Sequence, residues 1–502
     1  MSESRKPQSG KSVIRNVFYG SLTWFLPLCI SFIATPIIVR SLGNNDYGIY
    51  ALVLGFIGYS FTFSFGKAIT KYVAEYRNTP ESDTITDVIS ASFVLNCVIG
   101  LAGVTIICLL SPWLVREVFR IEEASQNKTI HAMYIATAVI FVSMLSTLFS
   151  SMLQGLHRFD IYSKIFTVSG FVSIGGNLVL ALMGYGLVAL LLWNLITLAI
   201  FALIYAIVAK RLLPEFKLRL SFDRTTLRMV VGYNAGIIGY QIVANVLLLF
   251  ERGWITQRLG SENLTYYVVP MTLGMYLHGF VSSLVQVIFP LASELNNDRE
   301  KLLKLYTKAT KIISMIVVFV MLSVVVNSRL FLHLWIGESF VENSADLLIL
   351  HMVTFGLAAI MTVSWQMSEG LGFPHYNFGI ITICLIISVS SMFALTANYG
   401  NFGVAVARLA GFGTIFFSIF VVERLFFKHI QFGFWIRILL SLGAASLVAA
   451  AVEFSVTTNL PQSWPTLFLS AGIGGAAYLL VLLLLKFVTE DEKLLIRTLL
   501  KR

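Results

Sequence analysis

Charged residues are scarce in this sequence. Of its 502 residues, only 12% are Asp, Glu, Lys or Arg, whereas soluble domains carry roughly 25%. A soluble fold of this size needs more charge to cover its surface, so the shortage excludes a soluble enzyme, a nucleic-acid-binding domain and a disordered scaffold. The apolar share is 57% and the mean hydropathy is +0.82. These values predict an all-α integral membrane protein that crosses the bilayer many times.

Cysteines and catalytic motifs are also scarce. The four cysteines lie singly in apolar runs without metal-ligand or redox spacing, which predicts neither a disulfide framework nor a metal site. The sequence has no Asp-x-Asp motif of the kind that holds a nucleotide sugar. Its P-loop-like triplet, Gly10-Lys11-Ser12, lacks the required earlier glycine, because Arg5 stands there. We therefore expect no enzyme activity, no metal and no organic cofactor.

Long apolar runs are abundant instead. Because a helix needs about 20 mostly apolar residues to cross a bilayer, we predict about fourteen transmembrane helices. They lie at 17–39, 47–66, 85–110, 130–153, 161–183, 185–209, 230–253, 266–290, 309–332, 346–369, 376–397, 402–427, 435–455 and 465–488. With the N-terminus inside, 28 Lys and Arg residues fall on the cytoplasmic side and 8 on the outer side. This asymmetry predicts cytoplasmic termini and assigns most of the +10 net charge to orientation.

Short motifs recur at a nearly constant offset. Leu42-Gly43 before Tyr50 matches Leu259-Gly260 before Tyr267, Met152–Leu156 matches Met367–Leu371, and Gly184–Gly186 matches Asn398–Gly400. The offsets are 217, 215 and 214 residues. Such a repeat predicts two pseudo-symmetric six-helix lobes around a central cavity, followed by two C-terminal helices, an arrangement that suits a carrier.

The predicted spans divide the chain into six regions. They are a cytoplasmic tail (1–16), an N-terminal lobe (17–209), a cytoplasmic linker (210–229), a C-terminal lobe (230–427), two further helices (428–488) and a second cytoplasmic tail (489–502).

Charged side chains near span interiors are candidates for function, because a charge at mid-bilayer costs about 2.5–3.5 kcal/mol on insertion scales. Glu251 and Arg252 in span seven are interpreted either as a cavity-lining pair or as a self-neutralising pair at the outer interface. Asn234, Gln241 and Asn245 share the helix face of Arg252 as a polar stripe. The other basic candidates are Arg40, Lys67, Lys71 and Arg408. Lys67 and Lys71, four residues apart, are either an anion-binding face or positive-inside anchors.

Other polar residues suit structural roles better. Glu369 and Glu423 lie near inner helix ends, where a long side chain snorkels to water. Uncharged polar residues inside spans usually form hydrogen bonds between helices, and this set also includes Asn96, Asn177, Asn194 and Gln286.

Several motifs together resemble a known family. The opening reads Arg40-Ser-Leu42-Gly43-Asn-Asn-Asp46-Tyr47-Gly48-Ile-Tyr50, and Phe65-Gly66-Lys67-Ala68, Ala74-Glu75-Tyr76-Arg77, Gln154–Phe159, Glu251-Arg252 and Leu334-Trp335-Ile336-Gly337 follow. Over the whole chain these motifs resemble the Wzx-type oligosaccharide flippases of the multidrug/oligosaccharidyl-lipid/polysaccharide (MOP) exporter superfamily. That family often has Asp at the position of Glu251 and an acidic residue near Ser64-Phe65-Gly66, where this chain has none.

The resemblance implies a function. The cargo would be a polyprenyl-diphosphate-linked oligosaccharide, moved by alternating access across the inner (plasma) membrane for the synthesis of O-antigen, capsule or exopolysaccharide. The basic candidates and the polar stripe would bind its diphosphate and sugars, and Glu251 would bind a coupling proton or sodium ion. Partners would be membrane lipids, a glycan polymerase and glycosyltransferases, but no nucleic acid.

Three alternatives stay open. A cation-coupled multidrug exporter would use the same architecture, although it favours an acidic, aromatic cavity. A membrane-embedded glycan polymerase or ligase would be expected to have a large outer loop with catalytic His and Arg, which is absent from the sequence. A non-transporting component of a glycan-assembly complex is the third.

Overall fold

The computed structural model describes residues 29–59, 66–76, 82–214, 218–219, 224–285, 288–295 and 298–488. These residues form helices joined by turns and short irregular segments, with no strand among them, which confirms the predicted all-α class. The helices are α1 (Cys29–Leu42), α2 (Asn44–Tyr59), α3 (Gly66–Tyr76), α4 (Ser82–Trp113), α5 (Glu123–Gly155), α6 (Phe159–Leu182), α7 (Leu187–Leu212), α8 (Arg224–Leu259), α9 (Ser261–Val285), α10 (Ile288–Glu294), α11 (Arg299–Val326), α12 (Ser328–Trp335), α13 (Glu338–Gly370), α14 (Pro374–Phe412), α15 (Phe417–Phe420), α16 (Phe432–Asn459) and α17 (Trp464–Leu484). Short π- and 3₁₀-helical segments lie at Leu114–Val118, Gly413–Phe416 and Val421–Phe426.

The chain is a multi-pass membrane protein. Within the described ranges, ten helices are long and apolar enough to cross a bilayer, and α1 is a shorter apolar helix. One of the ten, Pro374–Phe426, covers two predicted spans and is broken at Gly400, whose φ is +51°. Leu439, Leu447 and Phe468 are each about 70% exposed, and such an apolar outer face suits contact with lipid. The count of fourteen spans stays a prediction.

Packing divides the chain into two compact units, residues 1–265 and 266–502. Apolar residues of α3, α4, α5 and α7 form an interior of the first unit, with Ile69, Ile89 and Leu148 fully or nearly fully buried. In the second unit, Ala445 and Ala449 of α16 belong to a buried cluster that includes residues of α11 and α17. Their small size lets the helices approach closely. The predicted domain limits stay predictions.

The repeated motifs adopt matching backbone conformations. Gly43 and Gly260 both have a positive φ, +77° and +90°. Each donates its N–H to the carbonyl four residues earlier and accepts the N–H of the residue four later, so each forms the same junction between two helices. The left-handed region favours glycine because it lacks Cβ.

The second motif also forms the same turn twice. After α5, the N–H groups of Leu156, His157 and Arg158 donate to Met152, Gln154 and Leu153. After α13, the corresponding residues repeat this pattern at Leu371, Gly372 and Phe373. His157 has φ +57° where Gly372 has +86°, so a histidine occupies a left-handed position that its counterpart fills with glycine.

This turn gives a testable asymmetry. Gly372→Ala is expected to lower the free energy of unfolding by about 1 kcal/mol because Ala strains the left-handed conformation. His157→Gly is expected to act in the opposite direction. Gly379→Ala is the matched control, since Gly379 lies within α14 with open space where a Cβ would stand, and the change favours the helix. The unfolding temperature in detergent measures all three, and a Gly372→Ala protein as stable as the control would contradict this prediction.

Candidate functional site

Arg252, a residue of α8, lies inside the first unit, and its side chain contacts α2. Its side chain is 8% exposed, its Nη1 donates to the carbonyl of Ala51, and its guanidinium lies 5.4 Å from the ring centroid of Tyr59. Gly55 makes this position possible, because a Cβ there would be 2.6 Å from Arg252 Cδ. Among the residues that the structure describes, none is a hydrogen-bond partner for the buried Nε of Arg252. The guanidinium therefore keeps a donor that a ligand oxygen can accept from.

Glu251, the proposed ion-coupling residue, is also fully buried. The Glu251–Arg252 dipeptide therefore lies in the protein interior and not on its exposed surface. Asn245, two turns earlier on α8, is half-buried. The side chains of Asn234 and Gln241 lie outside the described residues, so the polar stripe stays a prediction at those positions.

Of the other basic candidates, Arg40 and Lys71 are exposed. Arg40 lies near the end of α1. Lys71 lies on α3, with its Nζ 4.8 Å from the ring centroid of Tyr72. The side chain of Lys67 lies outside the described residues. An exposed lysine suits either of the two roles predicted for Lys71, anion binding or anchoring.

Arg408 lies in the interior of the second unit and is 1% exposed. Its guanidinium carbon is 5.6 Å from the ring centroid of Phe355 and 5.5 Å from that of Phe412, so the two rings stabilise the cation through their faces. His351, which interacts electrostatically with Arg408, is fully buried, and neither of its ring nitrogens has a hydrogen-bond partner in the described part of the chain. The ring of Tyr267 lies edge-to-face with the His351 ring at a centroid distance of 4.6 Å. This cluster brings together an arginine and a histidine that no sequence motif connects.

A polar cluster in the first unit joins α2, α6 and α7. Asn177 Nδ2 donates to Asn194 Oδ1 at 2.8 Å, and Ser173 Oγ donates to the same oxygen at 2.9 Å. Asn194 Nδ2 donates to the buried Tyr50 hydroxyl at 3.3 Å. The predicted hydrogen bonds between helices are thus present for Asn177 and Asn194. The prediction is wrong for Asn96, which is fully buried and whose amide atoms have no hydrogen-bond partner among the described residues. Gln286 lies outside the described residues. Tyr50 and Ser173 were not predicted as members, although Tyr50 belongs to a repeated motif.

The two copies of the Leu-Gly motif contact each other. Thr265 Oγ1 donates to the carbonyl of Asn44 at 2.6 Å, and Asn44 Nδ2 donates to Glu262 at 3.3 Å. Gly48 faces the carbonyl of Ser261 so closely that a Cβ would overlap it. The start of α2 is therefore tied to the start of α9, and this contact helps to position α2 beside Arg252.

The snorkelling predicted for Glu423 is wrong. Its side chain is fully buried and accepts hydrogen bonds from Tyr306 Oη at 2.9 Å, Trp435 Nε1 at 2.7 Å and the Gln431 N–H at 2.7 Å. The backbone around it is the π-helical turn Val421–Phe426. These three donors hold the carboxylate inside the protein, where it joins the ends of three segments.

The fold is that of the MOP-superfamily transporters. The chain is similar to the lipid II flippase MurJ in an inward closed conformation, with a TM-score of 0.73 and 14% identity, over 94% of this chain and 99% of the MurJ chain. It is also similar to an inward-facing multidrug resistance MATE family transporter of the MOP superfamily, with a TM-score of 0.59 and 16% identity, over 84% of this chain and 94% of that one.

The chain belongs to the polysaccharide biosynthesis protein family, which it matches over residues 37–345. A Shigella flexneri protein named as an O-antigen transporter is 20% identical over 405 residues, or 79% of this chain and 94% of that protein. An uncharacterised membrane protein of Methanocaldococcus jannaschii is 21% identical over 468 residues, or 87% of this chain and 89% of its own length. The resemblance to Wzx-type MOP exporters is thereby confirmed. The similar proteins with a named activity are transporters and flippases, not enzymes.

The space for Arg252 gives a second prediction. Gly55→Ala is expected to destabilise the protein by about 1–3 kcal/mol, because the new methyl group overlaps the arginine side chain. Gly58→Ala on the same helix is the control, since nothing lies within 4 Å of a Cβ there. In the Arg252→Ala background the effect of Gly55→Ala should largely disappear, and unfolding temperatures of the four proteins in detergent give this coupling. If Gly55→Ala and Arg252→Ala changed the unfolding temperature additively, Gly55 would not be needed to accommodate the Arg252 side chain.

Proposed function

We propose that this protein is a flippase that moves a polyprenyl-diphosphate-linked oligosaccharide from the cytoplasmic to the outer leaflet of the plasma membrane. The observation that carries the proposal is a guanidinium buried among apolar helices, Arg252, in a chain of the polysaccharide biosynthesis family. The O-antigen transporter and the flippase MurJ among the similar proteins support a lipid-linked cargo. The product would serve synthesis of O-antigen, capsule or exopolysaccharide.

The membrane arrangement belongs to the same proposal. It comprises fourteen spans, two six-helix lobes with two added helices, and both termini in the cytoplasm. The matching turns at Gly43 and Gly260 support a duplicated unit. Alternating access would then expose the cargo site to one leaflet at a time. A glycan polymerase and glycosyltransferases are the proposed partners.

Physical chemistry assigns each candidate a role. A sugar-diphosphate headgroup loses its hydration in hydrocarbon, so a carrier has to replace the lost hydrogen bonds. Arg252 and Arg408 are proposed to donate charge-assisted hydrogen bonds to the diphosphate, with Gln241 and Asn245 contacting sugar hydroxyls. Lys67, Lys71 and Arg40 are proposed to attract the anion near the helix ends. Glu251 is the proposed site of a coupling proton or sodium ion.

Reconstitution with a lipid-linked oligosaccharide tests the proposal, with leaflet exchange as the measured quantity. Arg252→Ala and Arg408→Ala are each expected to slow exchange roughly 10- to 100-fold, because each removes a charged donor worth about 1.5–3 kcal/mol. Lysine at either position should restore only part of the rate, since it lacks the planar fork. Arg258→Ala is the control, because Arg258 is an exposed arginine of the same α8 helix, stacked on Trp254.

Wild-type rates for both alanine variants, at normal protein levels, would contradict the assignment of the diphosphate site. Absence of exchange by the wild-type protein, together with protection of cells against cationic drugs, would instead identify a multidrug exporter. The MATE transporters among the structural relatives are the reason for testing that alternative. Wild-type protein that neither exchanges lipid nor exports drugs would favour the non-transporting assembly component.

The paired lysines of α3 give a separate prediction. Reversing both charges, with Lys67→Glu and Lys71→Glu, is expected to reduce exchange at least about tenfold by repelling the diphosphate. Lys304→Glu is the control, since Lys304 is an exposed lysine near the start of α11. Normal transport by the doubly reversed protein, at wild-type abundance, would leave these lysines only an anchoring role.

A further inference from the structure

A second buried glutamate lies on the C-terminal helices, away from every residue assigned above. Glu453 of α16 is fully buried, six residues before the helix ends at Asn459. Two polar side chains from neighbouring elements, Asn327 after α11 and Ser470 of α17, are buried with it. At about 1.5 Å per residue, the carboxyl group lies roughly 9 Å inside the end of its helix. No apolar packing requirement explains an ionisable group there.

The hydrogen bonds of Glu453 are incomplete for a carboxylate. Asn327 Nδ2 donates to Oε2 at 2.7 Å. Oε1 is buried and has no partner in hydrogen-bond geometry among the described residues, although the Ser323 hydroxyl lies beside the carboxyl group. Ser470 Oγ is directed elsewhere, to Asn327 Oδ1 and to the backbone carbonyl of Glu453, both at 3.2 Å. Gly474 leaves space for the carboxyl group, because a Cβ there would overlap it.

No charge compensates the carboxyl group. Among the described residues, no Lys, Arg or His lies within ion-pair distance of Glu453. The groups that face it are Ser323 and Asn327 from the α11 side, and Ser470 and Gly474 from α17. None of these four titrates.

The titratable groups on the neighbouring helices have other partners. Tyr478 of α17 donates its hydroxyl to the carbonyl of Met315 at 3.1 Å. Arg329 of α12 and Asp346 of α13 form an exposed pair at 3.9 Å. Neither arrangement supplies a positive charge to Glu453.

Glu423 shows what a buried carboxylate looks like in the same unit. It accepts three hydrogen bonds, two at Oε1 and one at Oε2, whereas Glu453 accepts one from Asn327 and has the Ser323 hydroxyl as its other polar side-chain neighbour. A buried charge with so few partners is unfavourable, and the group then takes up a proton instead. Glu453 therefore suits the neutral acid.

We propose that Glu453 is a proton-binding site, held as the neutral acid while α11, α16 and α17 are packed together. The proton resides on Oε1, and Oε2 keeps the hydrogen bond from Asn327. On release, the O–H bond breaks, the proton passes to water, and the negative charge left on the carboxylate requires water to enter between the helices. Ca²⁺ or Mg²⁺ is a poor occupant, because each needs about six oxygen ligands and the Asn327 amide donates into this space.

Infrared spectroscopy of the purified protein in lipid nanodiscs tests the protonation state. At neutral pH the carbonyl stretch of a protonated carboxylic acid should be present, lost in Glu453→Gln and retained in Glu423→Gln. Asn327→Leu should shift the band, because Oε2 loses its donor, and this variant also serves if Glu453→Gln does not fold. The proposal would be overturned if the spectrum of Glu453→Gln were identical to that of the wild type. If Glu453→Gln does not fold, a spectrum of Asn327→Leu identical to that of the wild type would overturn it.

The pH dependence of stability gives an independent measurement. The folded chain keeps a proton that the unfolded chain releases, so raising the pH from about 5 to about 9 favours unfolding. The wild-type unfolding temperature should therefore fall more steeply than that of Glu453→Gln, whereas Glu423→Gln should keep the wild-type slope. Equal slopes for the wild type and Glu453→Gln would also overturn the proposal. Both measurements need no transport, so their outcome is independent of the proposed cargo.

Discussion

Hydrocarbon offers no hydrogen-bond partner, so each polar group within a span has to be satisfied by the protein or by a ligand. Arg252 depends on this constraint in two ways. Its Nη1 uses the carbonyl of Ala51 on a neighbouring helix, and its side chain fits only because Gly55 has none. The packing of α2 on α8 is therefore linked to a single cation. Arg408 meets the same constraint with the faces of two phenylalanine rings, which stabilise a positive charge within apolar surroundings.

The matched turns show that local hydrogen bonding, more than residue identity, determines the backbone of this chain. Gly372 and His157 occupy corresponding positions in turns with the same three hydrogen bonds, and both have a positive φ. A histidine in the left-handed region carries a cost that glycine does not. Its retention there indicates that the surrounding contacts outweigh the strain. One such contact involves Gly155, which lies against the carbonyl of Thr70.

The sequence predicts the helical class because hydropathy is summed over some twenty residues, and local packing does not change that sum. Arg252, Arg408 and Glu251 were candidates because a charge inside a span is costly, and all three are buried. Arg40 and Lys71 were candidates for the same reason, yet both are exposed. Tyr50 and Ser173 were not candidates, because burying a hydroxyl costs less than burying a charge and their partners come from helices distant in sequence. Glu423 was misinterpreted for a related reason. Its donor Tyr306 lies 117 residues away, and no local pattern indicates that contact.

The environment of Arg252 also bears on what energy a flippase of this kind needs. A backbone carbonyl satisfies one donor of the guanidinium without neutralising its charge, so a phosphate that binds there gains attraction that no fixed carbonyl provides. On the proposed function, the arginine stays with the protein while the cargo moves, so the charge that crosses the membrane would be that of the diphosphate. A potential that is negative inside contributes roughly 2.3 kcal/mol per charge per 100 mV to outward movement of an anion. The membrane potential would therefore supply part of the free energy of transport. On the proposed function, a coupled ion at Glu251 has to supply only the remainder, which includes the free energy needed to release the cargo from the arginine.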